Sequence, residues 1–492
     1  NLIRDYLYEY TYALDHTWEL LMGLGRVDPK DSNELFNVSH LAIRTSQEIN
    51  GVSRLHGEVS QRMFTELNPD YNYAESNIGY VTNSVHFPTW VAREWLDFYE
   101  QKLDKGILEN QTDKKLWQKI HAVPDGEIMA IRRLLKKRLL DWVRQSLSED
   151  LMRRGENPRH TFEIVNAIKD DALVFGFARR FATYKRATLL FSNEKRLAEI
   201  VNNPDRPVIF LENYSMEMAK LLVQGVDVWL NNPTRPKEAS GTSGMKAVMN
   251  GVMNFSVLDG WWCEGFKPGA GWALPEKDTY PDQPALQNEL DAETIYNTLE
   301  NDIVPSYYER NQDGVSARWV SHIKNTIAEI APEFVMGRML DDYQSRFYSK
   351  LAQRSELVKE KDFALARSIA RWKTRIRHSW QAIELIDLQA PDTFNRSLPL
   401  GEKFDATATL HLQDLSADDV GVEVVFYKRH SETELEFLFV QQLDLISKKG
   451  PEAIFSCSFV PRTAGVFEYG FRLFPTHPML PNRQDFGLVR WL

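Results

Sequence analysis

Asn231-Asn-Pro-Thr-Arg-Pro-Lys-Glu-Ala-Ser-Gly-Thr-Ser-Gly-Met-Lys246, running on through Ala247-Val-Met-Asn-Gly251 to Leu258-Asp-Gly-Trp-Trp262, is the most informative stretch of this chain. Gly241, Thr242, Ser243 and Gly244 put little side chain between their backbone amides and a ligand, and Met245 to Asn250 can continue as a helix. Unpaired amides and the positive dipole end at a helix N-terminus favour a phosphate group. Lys246 lies one turn into that helix. An amine there serves either as a point charge for a phosphate or as a nucleophile that condenses with an aldehyde. The spacing differs from Gly-x-x-x-x-Gly-Lys-[Ser/Thr], since Gly241 and Gly244 stand too close and Ala247 follows the lysine, which argues against a nucleotide P-loop. On residue types alone, a Gly/Ser turn before a helix is the plainer alternative.

Upstream, Ala172-Leu-Val-Phe175 is a short apolar run ending in Gly176, the pattern of a buried parallel strand entering a βα turn. Arg179, Arg180, Lys185 and Arg186 follow, four cations within eight residues. Ligands of open α/β sheets bind at the carboxyl ends of the strands, and four cations there suit two phosphate groups held close together. An exposed basic helix start is the competing explanation. Val226-Asp-Val-Trp-Leu230 reads as the next buried strand, and Arg206 to Tyr214 as strand-like sequence.

Further out, residues 1 to about 92 read as mixed helix and loop. Ile128, Ile131, Leu134, Leu135, Leu139, Trp142 and Val143 recur at helical steps, and the basic run Arg132 to Arg138 is expected on a solvated face of that helix. His40, His56 and His86 lack the i,i+4 spacing of a metal pair, so no metal site is expected. Gly/Pro-rich loops follow Trp262 to about Gln283, then helices to about Gln389, including a basic amphipathic segment Ile369 to Arg377 with a packing role. Pro391 to about Gly401 is linker-like. Beyond it Phe404–Leu412, Val422–Tyr427, Ile454–Phe459 and Val466–Phe474 alternate apolar and polar between turn residues, the pattern of a small antiparallel sandwich.

Length allows two or three domains in 492 residues. A net charge of −10 gives no bulk reason to expect nucleic acid or an anionic membrane as a partner. Cys263 and Cys457 lie far apart and form no metal-ligand spacing, which fits a reducing compartment. No signal peptide or membrane-spanning apolar run is legible. The chain starts at Asn1 inside the aromatic pattern Tyr6, Tyr8, Tyr10, Tyr12, so a fragment of a longer protein is expected.

Glu238 to Lys246, with Asn250-Gly251 and Leu258-Asp-Gly260, closely resembles the pyridoxal-phosphate loop of the α-glucan (glycogen, starch, maltodextrin) phosphorylases. Asn50-Gly51-Val52, Val81 to Trp90 and the cationic segment after Gly176 resemble the same family. The close of the chain, Phe474 to Leu480 and Gly487 to Trp491, is similar to its shorter bacterial and archaeal branch. The resemblance covers the C-terminal part of the family's length. It implies an α/β fold of GT-B type, with residues 1–92 the remnant of the N-terminal domain, 93–390 a Rossmann-like catalytic domain that binds pyridoxal 5′-phosphate, and 391–492 the β-sandwich. It implies that Lys246 carries the cofactor covalently. Arg179 would face its phosphate, Tyr214 its ring, and Gly241, Thr242 and Ser243 would complete the cofactor loop. Arg180 and Lys185 would hold orthophosphate, while Glu238, Ser240 and Gln47 would contact sugar hydroxyls. Lys246, Arg180 and Lys185 are the catalytic set.

The implied reaction is reversible, retaining phosphorolysis of an α-1,4-glucan end to glucose 1-phosphate. The implied partners are the glucan, orthophosphate and glucose 1-phosphate, with a homodimer as the assembly, neither nucleic acid nor membrane, and a cytoplasmic location. Three positions depart from the family: Gln47 stands where many members have histidine, Ser84 where glycine is usual, and Arg179 where lysine is common. After Phe210 the chain also passes from the beginning of one family strand to the end of another, without the ~10–12 residues a parallel crossover needs. Two alternatives stand beside this one: a nucleotide-sugar-dependent GT-B glucosyltransferase and a non-catalytic glucan-binding protein.

Overall fold

The computed structural model describes the chain except residues 1, 14–16, 202–207, 275–279, 281, 313, 392–398, 400, 432–434 and 462–465. Four short strands carry the Lys246 loop: β1 (Phe175–Gly176), β2 (Val228–Asn231), β3 (Met253–Val257) and β4 (Gly271–Leu274). They lie side by side in that order and all run parallel. β2 and β3 are buried at every position, which is why they read as unbroken apolar runs rather than as alternation. Residues 208–214 form no strand, and Arg206 and Pro207 lie outside the described residues. No crossover strand is therefore described between β1 and β2. β4 corrects the loop expected from Trp262 to Gln283: four residues between Ala270 and Pro275 are too few to show a period. Gly271 sits so close to β3 that an added Cβ would meet the Asn254 carbonyl oxygen at 2.6 Å.

Helix α1 (Asp125–Arg153) packs on α2 (Met216–Gly225), which feeds β2. At Gly225 a Cβ would come within 2.5 Å of Leu139 Cβ, so glycine sets how closely these helices approach. The solvated basic face expected of α1 holds at Arg133, Lys137 and Arg138, which are exposed, but not at Arg132 and Lys136, which are 2% and 4% exposed, whereas Leu134 is 50% exposed. Arg132 donates to the carbonyls of Gln224, Gly225, Val226 and Asn250, and Lys136 pairs with Asp227 at 2.5 Å. The cations are buried because they satisfy carbonyls at the end of α2 and a carboxylate at the start of β2.

The chain packs as two units. Asn50–Val59 and Tyr80–Arg346 form the one just described, and Asn1–Ile49, Ser60–Gly79 and Phe347–Leu492 form the other. The second unit holds an antiparallel sheet of β5 (Glu384–Gln389), β6 (Phe404–His411), β7 (Val420–Arg429), β8 (Leu435–Lys449), β9 (Glu452–Phe459), β10 (Glu468–Pro475) and β11 (Arg490–Trp491). Their order is β11-β10-β7-β8-β9-β6-β5. β8 pairs with β7 through its first part and with β9 through its last, with register shifts at 437/439 and 445/447. Bulges there bend the strand between the two halves of the sheet. Phe404, Ala408 and Leu410 meet Val422, Val424, Phe455 and Leu473 in one core. The helix expected to reach Gln389 ends earlier, and residues 384–389 are strand β5 instead. Trp372 and Ile376 of helix Ser349–Ser379 are buried in this core, the packing role expected of the amphipathic segment.

Candidate active site

β2 ends at Asn231, and the loop after it is pinned from several sides. Thr234 N–H donates to the Tyr184 carbonyl at 2.7 Å, and Glu238 N–H to Asp259 Oδ2 at 3.0 Å. Ser53 Oγ donates to the Ala239 carbonyl at 2.8 Å, Asn83 Nδ2 to Ser240 Oγ at 3.1 Å, and Trp261 N–H to the Ser240 carbonyl at 2.9 Å. Gly241 turns the chain into helix α3 (Thr242–Val248) with φ +83°, a left-handed conformation that favours glycine. No side chain caps that helix. Gly244 is small for a different reason: a Cβ would lie 2.5 Å from Asn254 Oδ1 and 2.8 Å from Trp261 Cζ2. The two loop glycines therefore serve backbone conformation and inner packing.

Two of the four cations converge. Arg179 and Lys185 both donate to Glu238 Oε2, Lys185 at 2.7 Å. All three side chains are buried, at 5%, 7% and 11% exposure. Burial pulls the Arg179 guanidinium below its ordinary pKa, and the Glu238 charge opposes that shift. The pair of phosphates expected to gather all four cations is not what the turn provides. Arg186, with φ +49°, points into Asp291 at 2.6 Å and the carbonyls of Asn232 and Pro233, while Arg180 is exposed. Arg179 also donates to Asn231 Oδ1, and Asn231 Nδ2 to Asn254 Oδ1 at 3.0 Å. That hydrogen-bonded chain links the cations to Asn254, against which Gly244 packs, two residues before Lys246.

The Lys246 ammonium lies 3.6 Å from the centroid of the Trp90 ring. Burial alone lowers its pKa, which raises the fraction of free amine at neutral pH. Trp90 is fixed by Asn250, whose Nδ2 donates to the Trp90 and Lys246 carbonyls at 3.0 and 2.9 Å and whose Oδ1 accepts from Ala92 N–H at 2.8 Å. Ser243 Oγ accepts from Trp229 Nε1 at 3.1 Å, and Thr242 opens α3. Tyr214 is exposed, just before α2. Gln47 belongs to the second unit, where its carbonyl accepts from Asn482 Nδ2 at 3.1 Å.

Asp259 receives two backbone amides, from Glu238 and Gly260, yet burial pushes its carboxyl up to about 6. Trp90, Asn231, Asn250, Asn254 and Asp259 are site residues to which sequence reasoning gave no role. Trp90, Asn231, Asn250 and Asp259 stood inside the quoted motifs, but only contacts across the fold show what they touch. Together the groups offer a desolvated amine on an aromatic face and a buried cation pair able to hold an anion. Among the described residues no helix is long and apolar enough to cross a membrane, and no cluster of three or more His, Cys, Asp or Glu could hold a metal ion.

Residues 159–264 match the family model "Carbohydrate phosphorylase", and residues 380–492 match "Glycogen phosphorylase C-terminal domain". Among the similar proteins, the glycogen phosphorylase of Mycobacterium bovis is 34% identical over 496 residues, covering 94% of this chain and 57% of that protein. The maltodextrin phosphorylase of Thermococcus litoralis is 33% identical over 515 residues, covering 96% and 58%. The glycogen phosphorylase of Aquifex aeolicus is 37% identical over 375 residues, covering 69% and 53%. The chain spans just over half the length of these relatives. The matched segment 159–264 contains both Arg179–Lys185 and the Lys246 loop, and that segment belongs to the carbohydrate phosphorylase family.

Proposed function

We propose that this polypeptide serves the phosphorolysis of α-1,4-glucans, releasing α-D-glucose 1-phosphate with retained configuration and using pyridoxal 5′-phosphate. The observation that carries this reading is the Lys246 amine, half-buried on Trp90, in a helix whose Gly244 packs on Asn254, the residue that Asn231 hydrogen-bonds to the buried cation pair. These residues fit the cofactor: an amine with a lowered pKa, no salt bridge to a carboxylate among the described residues, and a helix start without a side-chain cap. Lys246 would hold the cofactor covalently, with Arg179 toward its phosphate, Tyr214 toward its ring, and Gly241, Thr242 and Ser243 lining the loop. When bound, the cofactor supplies a phosphate that acts as the acid/base group.

The chain's own residues do the remaining work. Lys185 and Arg180 lower the cost of holding orthophosphate next to a second anion, so that the two groups titrate as a coupled pair. Glu238 and Ser240 offer hydroxyl acceptors to a glucose unit, and Gln47 donates and accepts without carrying charge. Architecture is part of the same proposal: a GT-B fold, with 1–92 closing the first half, 93–390 the Rossmann-like second half and 391–492 a β-sandwich. A cytoplasmic homodimer acting on glucan, orthophosphate and glucose 1-phosphate completes it.

The test is chemical. The full polypeptide is incubated with pyridoxal phosphate, reduced with borohydride and mapped by peptide mass, and glucose 1-phosphate formation from maltodextrin and phosphate is assayed in parallel. A pyridoxyl adduct on Lys246, lost in Lys246→Ala together with phosphorolysis, is the expected result. Absence of the adduct under excess cofactor, or an unaltered adduct yield in Lys246→Ala, overturns the assignment.

A further inference from the structure

The cation pair assigned to phosphate already holds an anion, and that anion is the residue assigned to sugar. Arg179 and Lys185 both bond the same oxygen of Glu238, in a site where all three side chains are nearly excluded from water. The Glu238 backbone is not free to follow its side chain: its N–H is held by Asp259 at 3.0 Å, and its carbonyl lies 2.9 Å from where a Cβ on Gly260 would stand. The next residues are fastened by Ser53 and Asn83. The carboxylate can therefore leave the cations only by rotating its own side chain.

We propose that Glu238 is shared between the two substrates: it occupies Lys185, a cation assigned to orthophosphate, until orthophosphate displaces it, and displacement frees it to accept hydroxyls of the glucan end. This rests on the phosphorylase reading of the site. The Glu238 carboxylate and orthophosphate cannot both sit on Lys185 without like-charge repulsion in a low-dielectric pocket. Each protein–phosphate contact is thus made at the expense of a protein–Glu238 contact, and the apparent phosphate affinity is reduced by the fraction of molecules in which Glu238 holds the cations. A sugar that holds the rotated Glu238 removes that competition. By linkage, saccharide raises phosphate affinity and phosphate raises saccharide affinity by the same factor.

The experiment titrates inorganic phosphate into the full polypeptide, followed by ³¹P NMR, with and without a short linear maltodextrin. Three variants are used: Glu238→Gln, Glu238→Asp and Lys185→Met. Wild type is expected to bind phosphate more tightly with the saccharide present, by about fivefold or more, the lower end of ordinary coupling energies. Glu238→Gln is expected to bind phosphate more tightly than wild type without saccharide, and to show no further gain on adding it. Glu238→Asp, whose carboxylate reaches one methylene less far, is expected to lie between the two, so the idea remains testable if Glu238→Gln folds poorly. Lys185→Met is expected to lose phosphate binding. If Lys185→Met binds as wild type does, the phosphate assignment of these cations falls and the sharing falls with it. If Lys185→Met loses binding but neither Glu238 variant gains affinity, the phosphate site stands and the sharing is wrong.

Discussion

Asp259 shows how a single residue's environment sets a measurable pH dependence. Its carboxylate accepts two backbone amides, which favour the charged form, but burial outweighs them and the nearby Glu238 charge adds to burial, so the folded group titrates at about 6. An unfolded aspartate titrates near 4. Between those values the folded protein binds the extra proton, so stability falls as pH rises through the window, by up to about 3 kcal/mol for a shift of this size. Asp259→Asn removes the titration. The stability difference, wild type minus variant, measured by urea unfolding at steps from pH 4 to 6.5, is therefore expected to shrink as pH rises and to level off above about 6.5. A difference that stays flat across the window would remove the buried-carboxyl account. Lys246 was singled out from sequence by the resemblance of Glu238 to Lys246 to a family motif, since on residue types alone a plain Gly/Ser turn fits as well. Asp259 was not, because its role depends on amides 21 and 1 residues away that the loop folds onto it.

At the scale of elements, sequence served where period equals environment and failed where it does not. β2, buried on both faces, and the alternating β6 and β9 were visible at nearly their true bounds, as were β7 and β10, although Val420–Phe426 of β7 and Phe471–Pro475 of β10 are buried without a break. β8 was not, because its two bulges shift the alternation twice in 15 residues. Edge strand β5 was taken for helix: its register also shifts, between Leu385 and Asp387, and four of its six positions are exposed. Arg132 and Lys136 misled for the opposite reason, since a basic run on an amphipathic helix normally faces water, and these two are buried against Asp227, the Tyr307 hydroxyl and main-chain carbonyls that lie far off in the sequence. Burial lowers the pKa of Lys136 despite the attraction of Asp227, so its charge is held there by the pair. Lys136→Met leaves Asp227, 3% exposed, with Val174 N–H and Arg132 at 3.9 Å. The expected cost is about 3–5 kcal/mol, the usual consequence of removing one partner of a buried ion pair. Adding Asp227→Asn should recover part of it, and thermal unfolding of the single and double variants measures the coupling. Purely additive losses would mean the pair is not the unit that joins α1 to β2.

Across the whole molecule, the second unit is assembled from segments far apart in the chain, and one guanidinium does much of the joining. Arg472 is fully buried, donating to Glu423 Oε1 at 2.6 Å, to Glu75 Oε2 at 3.0 Å and to the Asp70 carbonyl at 3.2 Å. Its guanidinium lies 4.7 Å from the Tyr71 ring centroid. Glu423, itself without exposure, also receives Arg483 at 2.7 and 2.8 Å, and Gln484 Nε2 donates to the Glu75 carbonyl at 2.8 Å. Nothing local in Tyr71 to Glu75 announces this partnership, because the partners lie about 400 positions later in the chain. A two-plus, two-minus cluster is balanced only while complete, and Arg472→Met leaves two carboxylates, one of them fully buried, with Arg483 alone. The expected loss is about 3–5 kcal/mol, whereas Arg483→Gln, at a side chain 36% exposed, should cost less because water can enter in its place. Hydrogen exchange read by mass spectrometry distinguishes a local break from a structural joint. In Arg472→Met, amides near 70–80, 420–426 and 470–475 should lose protection together, since all three segments are ordered by the same cation. Loss confined to the strand that carries residue 472 would show that the N-terminal segment holds its place in this unit by other means.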